Sequence, residues 1–429
     1  MSVLPKEVDY SLVSLPSQVT QQTYVSRALN GSSFGSNQTI QFAMVNNKGT
    51  YLINDSLYFT CRIRVTAHAT EDNSLLGIPA ASIIDRSSVM GNSSSLEDIN
   101  NYGAVVNALL HSKLNVAQKM GMSKPFGTKF TANEANDVDS FGVAAGTGEN
   151  IIEVSIPLMN CLTSAEKYIP LASAQYLIYL TLADLANFAI KDADGSTTSL
   201  TLFSVDACEL HYKAVSFPPE MDAVIMSQVD GAGDIYFKSQ SYASSVANIA
   251  SNSSGNQNIP FSNSLSSIKS LWCLFCKSTT YKNFASFNIT NGAGTIGWTV
   301  AGRQFPTQRI DMTQHESNAV LEYLEAIHGT SVSPEVSCSL STNNFRTINS
   351  AYAAGDIKDL GKCYFGVNCE RLAGKSYMLT GVSSQNSNIS LDLSIDGAAT
   401  NVSANVVQVF NYDLLLKYTP SQNVLVVLK

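Results

Sequence analysis

Charge is scarce in this chain. Only 14% of its 429 residues are Asp, Glu, Lys or Arg, against 45% apolar residues. A polar surface must therefore come from Ser, Asn, Thr and Gln, which recur from end to end. Lys and Arg number 26 against 34 Asp and Glu, and no run of five or six like charges occurs. With no basic stripe to meet a phosphate backbone, direct nucleic-acid binding is not expected. Long apolar runs are missing too. The opening "MSVLPKEVDYSLVSLPSQ" lacks the apolar stretch of a signal peptide, and no later segment approaches the roughly 18 apolar residues of a membrane span. These absences predict a soluble chain made in the cell interior and not secreted.

Constellations for chemistry are equally thin. The eight cysteines (Cys61, Cys161, Cys208, Cys273, Cys276, Cys338, Cys363 and Cys369) show no disulfide rhythm, and most lie in apolar runs as small buried hydrophobes. Cys273 and Cys276 form a C-x-x-C without a second pair at zinc-finger spacing. "LAGKS" at 372–376 has Cys369 where a phosphate loop requires glycine. "GTGEN" at 146–150 follows no strand-to-helix pattern. The five histidines (His68, His111, His211, His315 and His328) do not pair at i, i+4 and have no obvious acidic partner. No G-x-S-x-G elbow is present. No catalytic, cofactor-binding or metal-binding residue is nominated, and the chain is not expected to be an enzyme.

What the sequence has in quantity is strands. In "SLYFTCRIRVTA", Leu57, Phe59, Cys61, Ile63 and Val65 alternate with Tyr58, Thr60, Arg62, Arg64 and Thr66, the period of a sheet with one buried face. "NISLDLSI", "ACELHYKAV" and "VFNYDLLLKYTP" repeat the pattern. Further strands are expected at 39–45, 151–156, 176–182, 268–276, 296–300 and 362–367. Many short strands joined by Gly/Asn/Ser-rich loops describe sandwiches or barrels.

Two helices interrupt them. In "SSSLEDINNYG", Ser95 and Asp98 have capping-box spacing, ahead of a stripe of Leu96, Ile99, Tyr102, Val106, Leu109 and Leu110. Gly103 weakens that helix by about 1 kcal/mol relative to alanine. Thr313 and Glu316 form a second box before Val320, Leu321, Leu324 and Ile327, with Gly329 as C-terminal cap. Glu322 and Glu325 read as its solvated face. The two helices mark an internal repeat. "IPLMNCLTSAEKYIPL…YLIYLTL" follows the first and "FGVNCERLAGKSYMLT…ISLDLSI" the second, and each half closes on a strand ending in Lys and Tyr or Tyr and Lys. Pro218-Pro219 makes the boundary, because proline cannot continue a sheet ladder.

"ASIIDRSSVMGNSSSLEDINNYGAVVNALL", "YIPL" at 168–171, "CELHYKAVSFPPEMDAVI" and "IGWTVAGRQFPTQRIDM" together resemble viral double jelly-roll major capsid proteins. The resemblance implies an all-β fold of two tandem eight-stranded jelly rolls, each with one or more short helices in its loops. It divides the chain into an N-terminal arm (1–35), a first roll (36–217) and a second roll with the C-terminal strand (218–429). It implies a structural protein of the virion whose homotrimers form pseudo-hexagonal capsomers that tile an icosahedral shell. The partners it implies are copies of the chain, neighbouring capsomers, penton and minor capsid proteins, and in some relatives an internal membrane. The arm is expected either as a disordered tail or as a segment reaching under the shell to a neighbouring capsomer or a membrane surface, and "NVLVVLK" as a strand or inter-subunit contact. The other reading kept open is a carbohydrate-binding or adhesive β-sandwich of lectin type, since jelly rolls also serve lectins.

Overall fold

The computed structural model describes residues 19–92, 94–128, 140–191, 198–200, 202–227, 233–250, 253, 255–277, 294–311, 316–329, 338–340, 364–370, 379–385, 387–395, 404–420 and 424–428. The first half contributes eight main strands: β1 (Thr20–Arg27), β2 (Thr39–Ala43), β3 (Tyr58–Thr66), β4 (Ile84–Gly91), β5 (Ser94–Asn100), β6 (Glu149–Pro157), β7 (Tyr176–Leu182) and β8 (Phe203–Ser216). The second contributes β9 (Ile235–Ile249), β10 (Gly255–Phe261), β11 (Ile268–Lys277), β12 (Thr295–Val300), β13 (Arg303–Asp311), β14 (Tyr364–Asn368), β15 (Ile389–Ile395) and β16 (Ala404–Thr419), followed by β17 (Val424–Leu428). Every pairing among them is antiparallel.

One strand order is used twice. In the first half the sheets run β1-β8-β3-β6 and β2-β7-β4-β5. In the second they run β9-β16-β11-β14 and β10-β15-β12-β13. Numbered within each half, both are 1-8-3-6 over 2-7-4-5, the interlocked double Greek key of a jelly roll. Shorter strands widen the first roll, among them Ser33–Phe34 and Thr50–Leu52 against β8. The helix of each half occupies the same place, between the fifth and sixth strands: α1 (Tyr102–Lys113) and α2 (Glu316–His328). The repeat read from two helix starts is thus a repeat of whole topology.

The alternating strands bury the faces their sequences mark. Phe59, Cys61, Ile63 and Val65 on β3, and Leu210 and Tyr212 on β8, are almost fully buried. In β16 the pattern is replaced by burial on both faces, from Val406 through Leu416. Thr20–Arg27, within the stretch expected as an arm, pairs along its whole length with β8 as the first strand of the first roll. β17 pairs with Leu415–Thr419 of β16, so the apolar C-terminal segment is a strand.

The first capping box is not one. Ser95 and Asp98 lie in β5, and α1 begins only at Tyr102, after Asn101 in the left-handed conformation with no side-chain cap. Asp98 instead receives two hydrogen bonds from Arg86 on β4, each 2.6 Å long. The apolar spacing that suggested a helix comes from a β-bulge. Glu97 pairs with Val89 and Ser95 with Met90, leaving Leu96 as the extra residue, so Leu96 and Ile99 are both buried three positions apart. The Thr313–Glu316 box lies outside the described residues, whereas Gly329 caps α2 as expected, with φ of +68° and its N–H on Glu325 O at 2.9 Å.

The outer face of the first roll's larger sheet carries an ion cluster. Arg62 Nε donates to Asp206 at 2.8 Å, Arg64 also donates to Asp206, and Arg64 reaches Glu149 at 2.9 Å. Desolvation works to raise the Asp206 pKa, but the hydrogen bonds from Arg64 and Arg62 outweigh it and hold the carboxyl below its ordinary value. A carboxyl with a lowered folded-state pKa stabilises the fold above the unfolded value near pH ~4 and loses that contribution as pH falls through the folded value. Asp206→Asn is therefore expected to cost stability at pH 7 and to flatten the acid limb of a stability–pH curve. Parallel acid limbs for variant and wild type would sink this assignment.

Candidate assembly site at the junction of the rolls

The two rolls meet through their helices, and the sequence explains the closeness of the contact. On α2 the buried face is Ala319, Tyr323 and Ala326, with Leu324 mostly buried and Leu321 47% exposed. Leu321 thus falls off the expected stripe. Two alanines let the helix approach β14, where a side chain in place of Gly366 would stand 3.0 Å from Tyr323 and 3.1 Å from Ala326. Tyr323 stacks on Tyr364 at 5.4 Å and meets Trp272 edge-on at 6.3 Å. Its hydroxyl lies 2.6 Å from Ser112 Oγ, at the far end of α1. α1 is buried around nearly its whole circumference, as a helix wedged between two sandwiches must be.

Polar bonds surround this pair. His111 Nδ1 lies 3.0 Å from Tyr364 OH, and His111 O accepts from Ser339 N and Oγ at 3.0 and 2.9 Å. His328 Nε2 approaches Ser112 O at 3.1 Å. Lower on the junction, Ser239 Oγ donates to Cys161 O and Glu166 N donates to Lys238 O at 3.0 Å. Lys238 Nζ sits 3.8 Å from Glu166 and 3.9 Å from the buried Asp413, whose other oxygen accepts from Ser267 Oγ at 2.7 Å. Leu425 of β17 is buried, and a side chain at Gly91 would meet it at 3.4 Å, so the last strand also leans on the first roll. Burial pushes the Tyr323 and Tyr102 hydroxyls well above their ordinary pKa, so both stay protonated, and Tyr102 OH accepts from Met159 N at 2.8 Å.

The residues weighed for chemistry disperse. Cys273 and Cys276 are buried within β11, and burial raises both thiols. Cys208 and Cys369 are pushed up to about 12, by burial foremost. Such thiols are poor nucleophiles near neutral pH. Two histidines have acidic neighbours that the sequence did not suggest: His68 has Glu71 at 3.8 Å, and His211 has Glu209 at 3.2 Å while stacking on Tyr58. Both pairs are partly exposed, and Glu209 is shared with Arg27 at 3.4 Å. Glu322 is raised by desolvation and by Glu325, consistent with two carboxylates sharing one helix face. "LAGKS", His315 and Cys363 lie outside the described residues. "GTGEN" runs from a bend into the start of β6. Among the described residues, no group of three or more His, Cys, Asp or Glu could hold a metal ion, and no helix is long and apolar enough to cross a membrane.

No family model and no curated protein matches this sequence. Solved structures do. The Faustovirus major capsid protein superimposes with a TM-score of 0.62 over 96% of this chain and 92% of its own, at 10% identity. A chain of the Sputnik virophage structure gives 0.57 over 100% and 92%, at 13% identity. The mavirus major capsid protein gives 0.52 over 100% and 95%, at 11% identity. Both sandwiches, their order and their tandem connection are shared almost end to end: the chain has the double jelly-roll fold of these viral proteins.

Proposed function

We propose that this chain is a major capsid protein: a structural, non-enzymatic component of a virion that acts by self-association. In this reading the first roll ends at residue 217 and the second begins at 218. Three copies form a capsomer whose six jelly rolls give a pseudo-hexagonal outline, and capsomers tile an icosahedral shell, meeting penton and minor capsid proteins and in some shells a membrane. The observation that carries the reading is one strand order used twice in a single chain, in a likeness to capsid proteins that spans nearly its whole length. The junction supports it. Two sandwiches joined by buried aromatic and polar contacts make a stiff unit, and modest contacts between stiff units become strong when a shell closes.

The test is the mass of the purified chain in solution, followed by negative-stain imaging. The expected result is a trimer with a pseudo-hexagonal outline. A monomer at all concentrations that binds sugars in a glycan array would overturn the proposal in favour of the lectin-like reading.

A further inference from the structure

In the second roll a lysine and an aspartate meet without a hydrogen bond between them. Lys238 stands on β9, the roll's first strand, and Asp413 on β16, its last main strand. Lys238 pairs with Leu415, so Asp413 is its diagonal neighbour and strand alternation puts both side chains on one face of the sheet. Lys238 Nζ lies 3.9 Å from Asp413 Oδ1, and the two side chains are 12% and 0% exposed. Two other lysine–carboxylate pairs of this roll are closer ion pairs: Lys417 reaches Asp234 at 2.6 Å, and Lys269 reaches Glu370 at 3.1 Å.

The carboxyl of Asp413 is held asymmetrically. Oδ2 accepts from Ser267 Oγ at 2.7 Å and from Thr380 N at 3.0 Å. Oδ1, the oxygen beside the lysine, accepts no hydrogen bond among the described residues. Gly381 N donates to Ser267 Oγ at 2.9 Å and so holds that hydroxyl in place. Donors on one oxygen only prepare a carboxyl for attack at its carbon. The bonded oxygen can carry the charge of a tetrahedral intermediate, and the other is left to depart. Glu166 completes the set. Its Oε1 is 3.8 Å from Lys238 Nζ, and its N–H donates to Lys238 O at 3.0 Å, anchoring it to the strand that carries the lysine. Its side chain is 44% exposed, which lets it exchange protons with water.

We propose that Lys238 and Asp413 condense into an intramolecular isopeptide bond, with Glu166 as the base, stapling the first strand of the second roll to its last main strand. Proton transfer from Nζ to Oδ1 turns the ion pair into a neutral amine and a neutral acid, the forms that react. A dry site favours that exchange, because it removes two charges. Nζ then attacks Cγ, Glu166 takes a proton from the nitrogen, and negative charge collects on Oδ2. The Cγ–Oδ1 bond breaks as the Oδ1 hydroxyl receives that proton from Glu166 and leaves as water. Oδ2 becomes the carbonyl oxygen of the amide. Ammonium and carboxylate give amide and water, so neither an oxidant nor another co-reactant is needed. Between separate molecules in water this condensation is poor, but well-oriented groups in one molecule reach effective molarities of about 10⁵–10⁸ M. The inference concerns a single chain and does not depend on the capsid reading.

Intact mass spectrometry of the purified, folded chain tests it, with Lys238→Arg as the control. Wild type is expected to be lighter than its sequence by one water, and Lys238→Arg to have its full mass. A protease digest of wild type is expected to yield one branched peptide joining the segments around Lys238 and Asp413. Glu166→Gln is expected to leave most chains uncondensed. Wild type at its full mass overturns the proposal. So does a loss of water that Lys238→Arg shares, since that loss, as in a succinimide, would lie elsewhere. If Lys238→Arg fails to fold, the presence or absence of the branched peptide in wild type decides. A Glu166→Gln chain that condenses as fully as wild type overturns the role given to Glu166.

Discussion

Gly103→Ala is expected to destabilise the protein by about 1–3 kcal/mol, the usual range for forcing atoms into a filled core. Helix propensity alone gives the opposite sign, a gain of about 1 kcal/mol in a helix interior. Geometry decides between them. A Cβ at Gly103 would lie 2.9 Å from both Ala81 O and Ile84 O, and 3.3 Å from Ser82 Cα. All three are backbone atoms of the Pro79–Ser82 turn and the start of β4, which cannot swing aside as a flexible side chain would. The glycine is there so that α1 can touch this backbone. Urea denaturation checks the sign, and a midpoint above that of wild type would mean that α1 does not sit this close.

A larger loss, about 3–5 kcal/mol, is expected for Tyr323→Ala, since the ring is fully buried between Trp272 and Tyr364. Tyr323→Phe separates packing from hydrogen bonding. It keeps the ring and removes a hydroxyl whose partner, Ser112 Oγ, still donates to Ala108 O at 2.6 Å. With no orphaned donor left behind, the phenylalanine variant is expected to cost only about 0.5–1.5 kcal/mol. Equal losses for the two variants would show that the hydroxyl, not the ring, holds the helices together.

The contrast between these positions shows what a sequence reveals. β3 and β8 were legible because one face of each is buried and the other is not, so period-2 patterning survives. β16 kept its strand identity but lost its alternation, because both of its faces are covered. β1 was illegible for the opposite reason. None of its residues is fully buried, although Tyr24 stacks on Tyr212, and Thr, Gln and Ser on so exposed a strand look like a tail. The bulge at Leu96 imitated helical spacing and drew the helix start forward onto Ser95. The junction was hidden more deeply, since Ser112, Tyr323 and Tyr364 come together only through tertiary structure. Two small residues on α2, Ala319 and Ala326, were the available hint that something packs closely there.

The 1-8-3-6 order also fixes a timetable. β1 pairs with β8, the last main strand of its roll to leave the ribosome, and β9 waits in the same way for β16. Neither roll can close from its N-terminal end. Each nascent half must hold its first strand unpaired while the rest of that roll is made, and such long-range pairing is slow to form. The scarcity of charge makes that interval hazardous, because few ionic side chains guard the open edges. Synthesis, more than the folded state, is where this chain has most need of a chaperone.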